Sequence, residues 1–318
     1  MREDFIYILN NVNSFLSQED KEIIFAISNY DVDDLVDELK GLSSEKIDLI
    51  FGDKAPDTNI FDDYELNKKG LQILRCLLVE RVFDSNRKKL GLDKHPDYEE
   101  YKKNGAIIKE DYFDQETFAQ IRQSCLRYLK NTRPSFTGST PVYIDVSSDE
   151  YFQSILKMCL GNNEVIQPTL RLKHVVHDLR DDQHELHIDK LYPNIKIWFY
   201  IEDIKHEHGP LHFVLGSHTN SYDKLKWIYD KSLMFSDPKN HVGEYKNYLW
   251  SRLAPGLDIN AELKKLNMPP ESPMTFKKNT LIVVDTAGFH RRGETTENTV
   301  RLALRAVLPR EQIYKCEI

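Results

Sequence analysis

The second half of the chain contains a series of short apolar stretches with the alternation and β-branched content of strands. This feature limits the possible folds more than any other. Such stretches lie at 169–177, 194–203, 210–215, 273–276, 280–285 and 299–308. Because helical patterns precede them, the order of elements predicts a β-barrel or jelly roll buttressed by helices.

Helical patterns fill the first part of the chain. The sequence Ser17-Gln18-Glu19-Asp20 resembles a capping box that opens a helix through Ile27. A longer amphipathic helix is predicted from about Tyr64 to Arg87, with an apolar stripe made by Leu71, Leu74, Leu78 and Val82. We therefore predict an α+β protein with a helical N-terminal region, residues 1–95, and a β-rich domain, residues 96–318.

Composition argues against several classes of function. The net charge is −8 over 318 residues, which disfavours a broad nucleic-acid surface. No apolar run approaches the ~18–20 residues of a membrane span, and the first residues carry acids where a signal peptide needs bases. Four scattered cysteines suit a reducing compartment. The expected location is therefore cytoplasmic, and the sequence leaves the oligomeric state open.

One pair of residues has the spacing of metal ligands. In a strand or at its end, His187 and Asp189 point to the same side, so an imidazole and a carboxylate converge on one point. A third ligand is expected from a strand that pairs much later, and His290 fits. Two histidines and one carboxylate form the facial triad of non-haem Fe(II) oxygenases. Arg301, eleven residues after His290 on a predicted strand, offers the two-pronged clamp that a 2-oxoglutarate carboxylate needs.

These residues lie in segments that resemble the phytanoyl-CoA dioxygenase family of Fe(II)- and 2-oxoglutarate-dependent oxygenases. The resemblance covers residues ~98–318. It departs from the family at Leu215, where proline is usual. The segments are 187–189 with 194–203, the motif Gly209 to His218, the stretch 279–293 with Arg301, and 104–108 with Phe113.

The resemblance implies a double-stranded β-helix, or jelly roll, in which His187, Asp189 and His290 bind Fe(II). Arg301 then binds the far carboxylate of 2-oxoglutarate, and Arg305 on the same strand face is its rival. By the same resemblance, further co-substrate contacts are expected from Trp198, Lys173 and Thr169. The implied reaction uses O₂, converts 2-oxoglutarate to succinate and CO₂, and oxidises an unactivated C–H bond.

Several alternatives remain open on the sequence. Asp189 fills the position that related halogenases leave to a small residue, so halide transfer is disfavoured. Hydroxylation is the default, whereas ring closure or desaturation of an amino-acid-derived natural product would use the same ligands. A cupin-type metal protein without 2-oxoglutarate would not need Arg301. A non-catalytic module on the same fold would be indicated by a lost ligand.

Several lysine and arginine residues are expected near the mouth of the barrel, although the protein as a whole is acidic. Lys190 follows Asp189, Arg291 and Arg292 follow His290, and Lys196 and Arg305 lie on flanking strands. This pattern predicts a small substrate with a carboxylate, phosphate or sulfate group, held by Lys190, Arg292 and Arg305. The alternative is that the two arginines after His290 form ordinary surface ion pairs with Glu294, Glu297 or Asp203.

The segment 219–273 interrupts the predicted strands and is rich in tyrosine, tryptophan and lysine. It leaves after Ser217-His218 and returns before the strand that leads to His290, so both ends are expected near the mouth. We predict that it is a lid that excludes water from the site. The alternative is a helical decoration whose aromatic side chains pack on the barrel wall.

Overall fold

The structure is a computed structural model that describes residues 2–43, 45–47, 63–132, 138–144, 146, 148–163, 170–176, 182–240, 249, 251–253, 258–296 and 300–307. Among these residues, no helix has the length and apolar character needed to cross a membrane. The α-helices are Arg2–Asn10, Val12–Phe15, Gln18–Ser28, Val32–Lys40, Tyr64–Lys68, Leu71–Lys89, Tyr98–Asn104, Gln115–Thr132, Glu150–Leu160, Tyr222–Ser236 and Ile259–Lys265.

The described strands form two antiparallel sheets. The larger has the order β1-β7-β4-β9-β3-β2 and the smaller the order β6-β5-β8. Their bounds are β1 Ala106–Lys109, β2 Gly138–Ile144, β3 Leu170–Val176, β4 Ile195–Tyr200, β5 Leu211–Phe213, β6 Ser272–Met274, β7 Thr280–Asp285, β8 His290–Arg292 and β9 Val300–Val307. The mixture of helices and sheets confirms the predicted α+β class.

The two faces of the larger sheet have different surroundings because side chains alternate along each strand. One face presents Ile197, Phe199 and Leu304 to an apolar core shared with helix Glu150–Leu160. The other face carries Trp198 and Arg305, which are paired across β4 and β9 and line a cavity. The sheet therefore separates a packed apolar layer from a polar interior where the candidate site lies.

The N-terminal helices have an apolar core of their own. Leu35, Leu74 and Val82 are buried in it together with Leu225 and Ile228 from helix Tyr222–Ser236. Ser17 forms the predicted capping box, since its side chain accepts from the Asp20 backbone N–H and the Asp20 side chain accepts from the Ser17 backbone N–H. Helix Tyr222–Ser236 thus connects the segment 219–273 to the helical region.

The structure corrects the prediction of one continuous helix from Tyr64 to Arg87. Two helices, Tyr64–Lys68 and Leu71–Lys89, meet at Gly70, whose φ of +96° belongs to the left-handed region. Glycine has no Cβ penalty there, and a Cβ would also lie only 3.2 Å from Ser28 Oγ. The apolar stripe from Leu71 to Val82 lies wholly within the second helix, so its periodicity gave no information about the break at Gly70.

Candidate metal centre

The backbone brings His187 and His290 face to face. Each residue donates its backbone N–H to the carbonyl oxygen of the other, at 2.9 and 2.8 Å, and the two form an isolated antiparallel bridge beside β8. Opposite residues of a hydrogen-bonded antiparallel pair carry side chains on the same face, and the two imidazole centroids lie 4.4 Å apart. The pairing of distant strands therefore assembles the two histidines that the sequence predicted.

Both imidazoles are oriented by backbone carbonyls. Nδ1 of His187 lies 2.7 Å from the Glu185 carbonyl oxygen, and Nδ1 of His290 lies 3.0 Å from that of Gly288. Because a carbonyl only accepts, each Nδ1 carries a proton, which leaves Nε2 as the ring nitrogen that a metal ion would bind. Metal-binding histidines are usually fixed in this way.

The third residue, Asp189, lies between the two Nε2 atoms. Its carboxylate oxygens are 3.9 Å from Nε2 of His187 and 3.4 Å from Nε2 of His290. Its backbone N–H donates to the Thr286 carbonyl at 2.9 Å. Lys196 forms an ion pair with the same carboxylate. Burial opposes ionisation of Asp189, but His290 and then Lys196 outweigh it and hold the pKa of this carboxyl well below its usual range.

These groups fit a divalent metal ion. One ligand atom from each of His187, Asp189 and His290 lies within 4.8 Å of the others. Nε2 of His187 is buried without a hydrogen-bond partner, and such an atom in a native fold calls for an explanation. Burial, followed by His290 and Arg252, lowers the pKa of His187 to about 2, so its imidazole is neutral, the form that binds a metal. Two imidazoles and one carboxylate are consistent with Fe(II).

A cavity of about 240 Å³ opens beside the two histidines. None of the described residues that line it is acidic, and six are cationic: Lys173, Lys196, Arg291, Arg292, Arg301 and Arg305. Such a surface attracts anions. The arrangement is consistent with Fe(II) and the dianion 2-oxoglutarate as cofactor and co-substrate.

Arg301, on strand β9, is buried and lines this cavity. Its Nη1 donates to the Gly209 carbonyl oxygen, and burial lowers its pKa while nearby Tyr200 opposes that effect. No carboxylate within the described ranges forms an ion pair with it. Four residues along the strand, Arg305 stacks over Trp198 with 5.9 Å between the guanidinium carbon and the ring centroid.

Of the other predicted site residues, some line the cavity and others do not. Lys173 and Arg292 line the cavity, whereas Lys190, only 9% exposed, is not among the lining residues. Thr169 lies outside the described residues. Arg291 lines the cavity but forms a bidentate pair with Glu271, with Nε to Oε2 at 2.7 Å and Nη2 to Oε1 at 2.5 Å. Arg291 therefore forms an ion pair, as the alternative predicted. Its partner is Glu271 rather than Glu294, Glu297 or Asp203.

Two residues that sequence reasoning did not assign to the site hold the chain before His290. Ser217 Oγ accepts the Phe289 backbone N–H at 2.8 Å and donates to the Val214 carbonyl at 2.6 Å. Lys224, fully buried, donates from Nζ to the carbonyls of Ser217 at 2.6 Å and Ala287 at 2.9 Å. A Cβ on Gly288 would lie 2.8 Å from the Phe213 ring, so only glycine fits there. Ser217 belongs to the Gly-Ser-His motif, which was its only sequence signal.

We expect Lys224→Met to weaken metal binding without removing a ligand. The substitution keeps the length of the side chain but leaves two buried carbonyls without their donor, at a cost of about 2–4 kcal/mol in the free energy of unfolding. Partners that orient metal ligands typically change affinity 10–100-fold, so Fe(II) affinity should fall by about tenfold or more.

The measurement is Fe(II) titration under anaerobic conditions together with the melting temperature. Lys226→Met is the matched control, because Lys226 lies on the same helix and pairs with Asp230 on the exposed surface. Equal Fe(II) affinity in Lys224→Met and wild type would show that this lysine supports only the fold.

The described part of segment 219–273 contacts residues of the site, since Arg252 forms an isolated antiparallel bridge with His187 and Glu271 pairs with Arg291. Trp227 contacts Phe289 with ring centroids 5.2 Å apart, and Phe235 and Leu263 join an apolar cluster with Ile188 and Phe289. None of its described residues lines the cavity. Residues 241–248, 250 and 254–257 of this segment lie outside the described residues, and the lid stays a prediction.

No protein-family model matches this chain, and no curated protein does. Among solved structures, the chain is similar to the non-haem alpha-ketoglutarate-dependent epimerase SnoN from nogalamycin biosynthesis. The identity is 12%, the TM-score is 0.39, and the match covers 69% of this chain and 83% of SnoN.

Two iron-bound structures are also similar. EctD from S. alaskensis with bound Fe has 12% identity and a TM-score of 0.40, over 66% of this chain and 74% of EctD. HygX from Streptomyces hygroscopicus with iron bound has 14% identity and a TM-score of 0.38, over 68% of this chain and 86% of HygX. Because the TM-scores are below 0.5, the activities of these proteins are not transferred to this chain.

Proposed function

We propose that this chain is an Fe(II)- and 2-oxoglutarate-dependent dioxygenase that oxidises an unactivated C–H bond of a small molecule. The observation that carries the proposal is the convergence of His187, Asp189 and His290 on one point beside a cation-lined cavity. The buried Nε2 of His187, which has no hydrogen-bond partner, supports a metal-binding role. When bound, iron and 2-oxoglutarate would supply the activation of O₂ and the removal of hydrogen.

The chain's own residues would bind and orient the reactants. His187, Asp189 and His290 hold the metal ion, and Lys196 and the Glu185 and Gly288 carbonyls keep these ligands in place. Three coordination positions remain open in a site with three protein ligands on one face. Catalysis by the protein then consists of positioning and of keeping the site dry.

Arg301 is proposed to bind the far carboxylate of 2-oxoglutarate. It is buried, it faces the cavity, and the Gly209 carbonyl fixes one of its nitrogen atoms while the other N–H groups stay available. Trp198 is proposed to lie beside the co-substrate, with Thr169 as a further contact. We propose that Lys173, which the sequence grouped with them, contacts the substrate instead. A cupin-type protein that works without 2-oxoglutarate would have no use for a buried arginine in this position.

The proposed architecture is a jelly roll over residues 96–318, with residues 1–95 as a helical support and 219–273 as a lid. The two antiparallel sheets support it, and the backbone bridge from His290 of β8 to His187 extends the smaller sheet. The resemblance to the phytanoyl-CoA dioxygenase family belongs to this proposal, as does a cytoplasmic location.

The proposed outcome is hydroxylation of a substrate that carries an anionic group. Lys190, Arg292 and Arg305 were predicted to bind it, and two of these, Arg292 and Arg305, line the cavity. Ring closure and desaturation stay open, since they use the same ligands. Asp189 disfavours halogenation because its carboxylate occupies the third ligand position.

The proposal is tested by anaerobic crystallisation with Fe(II) and 2-oxoglutarate, followed by a screen of candidate substrates for stimulated release of succinate. Density for iron at His187, Asp189 and His290 and for a carboxylate at Arg301 would support it. Iron bound elsewhere, or 2-oxoglutarate without contact to Arg301, would contradict it.

A further inference from the structure

The cavity has more cations than one molecule of 2-oxoglutarate uses. Lys196 is matched by Asp189 and Arg291 by Glu271. Lys173, Arg301 and Arg305 line the cavity without an ion-pair partner in the described part of the chain. If the co-substrate binds as proposed, one of its carboxylates lies on the metal and the other pairs with one arginine. Of these three residues, Lys173 and Arg305 are then left without an ion-pair partner in the described part of the chain.

The two remaining cations are diagonal neighbours on adjacent strands, and Arg301 stands in the same register relation to Lys173 on the other side of Ala303. Lys173 on β3 is opposite Ala303 on β9, and Arg305 is the next inward residue of β9 beyond Ala303. Diagonal neighbours of this kind are within reach of long side chains. Arg301 and Arg305 are four residues apart on one strand, so their Cα atoms are separated by about 13 Å. Arg301 is also held by the Gly209 carbonyl.

The surroundings of Lys173 and Arg305 favour the binding of an anion. Nε of Arg305 is buried without a hydrogen-bond partner, and the guanidinium plane is supported by the Trp198 ring. Burial, followed by Arg305 and the other nearby cations, lowers the pKa of Lys173 to about 8. Bringing several cations together in a partly buried cavity is unfavourable unless an anion binds there.

We infer that Lys173 and Arg305 form an anion subsite that holds a phosphate group of the substrate, separate from the 2-oxoglutarate carboxylate at Arg301. This inference rests on the proposed function for the identity of the second anion. A phosphate monoester carries about −1.5 to −2 charge at pH 7, which matches two cations better than one carboxylate does. The cavity of about 240 Å³ is smaller than the ~300–1,000 Å³ of sites that enclose drug-sized ligands. The charged head group and the carbon to be oxidised therefore enter it, while the rest of the substrate stays outside.

The test titrates inorganic phosphate into the full-length protein by calorimetry, first without metal and then anaerobically with Fe(II) and saturating 2-oxoglutarate. Phosphate should bind in both states. Lys173→Gln and Arg305→Gln should each weaken it by about tenfold or more, as expected for loss of a charge-assisted hydrogen bond. Arg301→Gln should change phosphate affinity by less than about twofold in the metal-free state. Lys226→Gln, which removes an exposed charge, is the control.

Three results would overturn the subsite. They are no phosphate binding, binding abolished by saturating 2-oxoglutarate, or binding that depends on Arg301 rather than on Lys173 and Arg305. Acetate that binds as tightly as phosphate would overturn the assignment to a phosphate. If the dioxygenase proposal is wrong, the result is different. The protein would then not bind Fe(II) or 2-oxoglutarate, while phosphate binding in the metal-free titration would be unaffected.

Discussion

Replacing His290 with alanine should abolish Fe(II) binding and turnover while leaving the protein folded. The side chain supplies one of three ligand atoms that lie within 4.8 Å of one another. Apart from its contact with Asp189, its one hydrogen bond to the described part of the chain joins Nδ1 to the Gly288 carbonyl. Loss of that bond costs about 1 kcal/mol. Loss of the ligand should lower metal affinity by more than the 10–100-fold that partners outside the ligand set produce.

The measurement is iron content after anaerobic loading, together with succinate formation and the melting temperature. His187→Ala and Asp189→Ala should give the same result as His290→Ala. His206→Ala is the control, because His206 is an exposed histidine that lies outside the cavity lining. Wild-type iron content and rate in His290→Ala would end the assignment of the three ligands.

Arg301→Lys should lower the apparent affinity for 2-oxoglutarate by one or two decades. Lysine keeps the positive charge but cannot form two parallel hydrogen bonds with a carboxylate. It also gives the Gly209 carbonyl and the co-substrate a single nitrogen to share. The loss corresponds to roughly 1.5–3 kcal/mol, the value of a hydrogen bond to a charged group. Fe(II) binding should be unchanged, because Arg301 makes no contact with the ligand residues.

Arg305→Lys is the matched control for this variant, since both arginines lie on the same face of β9 and line the same cavity. Its effect on the KM for 2-oxoglutarate should be smaller than that of Arg301→Lys. A larger effect would assign the co-substrate carboxylate to Arg305 and would leave Arg301 as a buried structural residue.

The local pattern of the sequence predicted the strands well and indicated that His187 and Asp189 lie side by side. The strand predicted at 280–285 is β7, and the one at 299–308 is β9, Val300–Val307. Alternation along β9 places Arg301 and Arg305 on the cavity face and Leu302 and Leu304 in the apolar core. The spacing of His187 and Asp189 made them neighbours, because two residues in extended chain return to the same side.

Contacts between distant segments could not be predicted in the same way. Lys196 was expected among the cations at the mouth, and in the folded sheet its charge is paired with Asp189. Arg291 meets Glu271, twenty residues away, because β5 lies between β6 and β8. Lys224 lies in a helix whose pattern gives no sign that its ammonium is buried against the Ser217 and Ala287 carbonyls. Each of these contacts depends on how distant segments pack together. Local hydrophobic periodicity, which is the main sequence signal, does not report such packing.

The most direct test of the central claim is the formation of succinate from 2-oxoglutarate by the purified protein, in the presence and absence of Fe(II) and O₂. We expect succinate only when both are present, at a slow rate without substrate, and none from Asp189→Ala. Succinate formation that does not require Fe(II), or that survives in Asp189→Ala, would contradict the assignment of His187, Asp189 and His290 as the metal site. No succinate from an iron-loaded wild-type protein that binds 2-oxoglutarate and has been offered the full substrate screen would contradict the dioxygenase assignment itself.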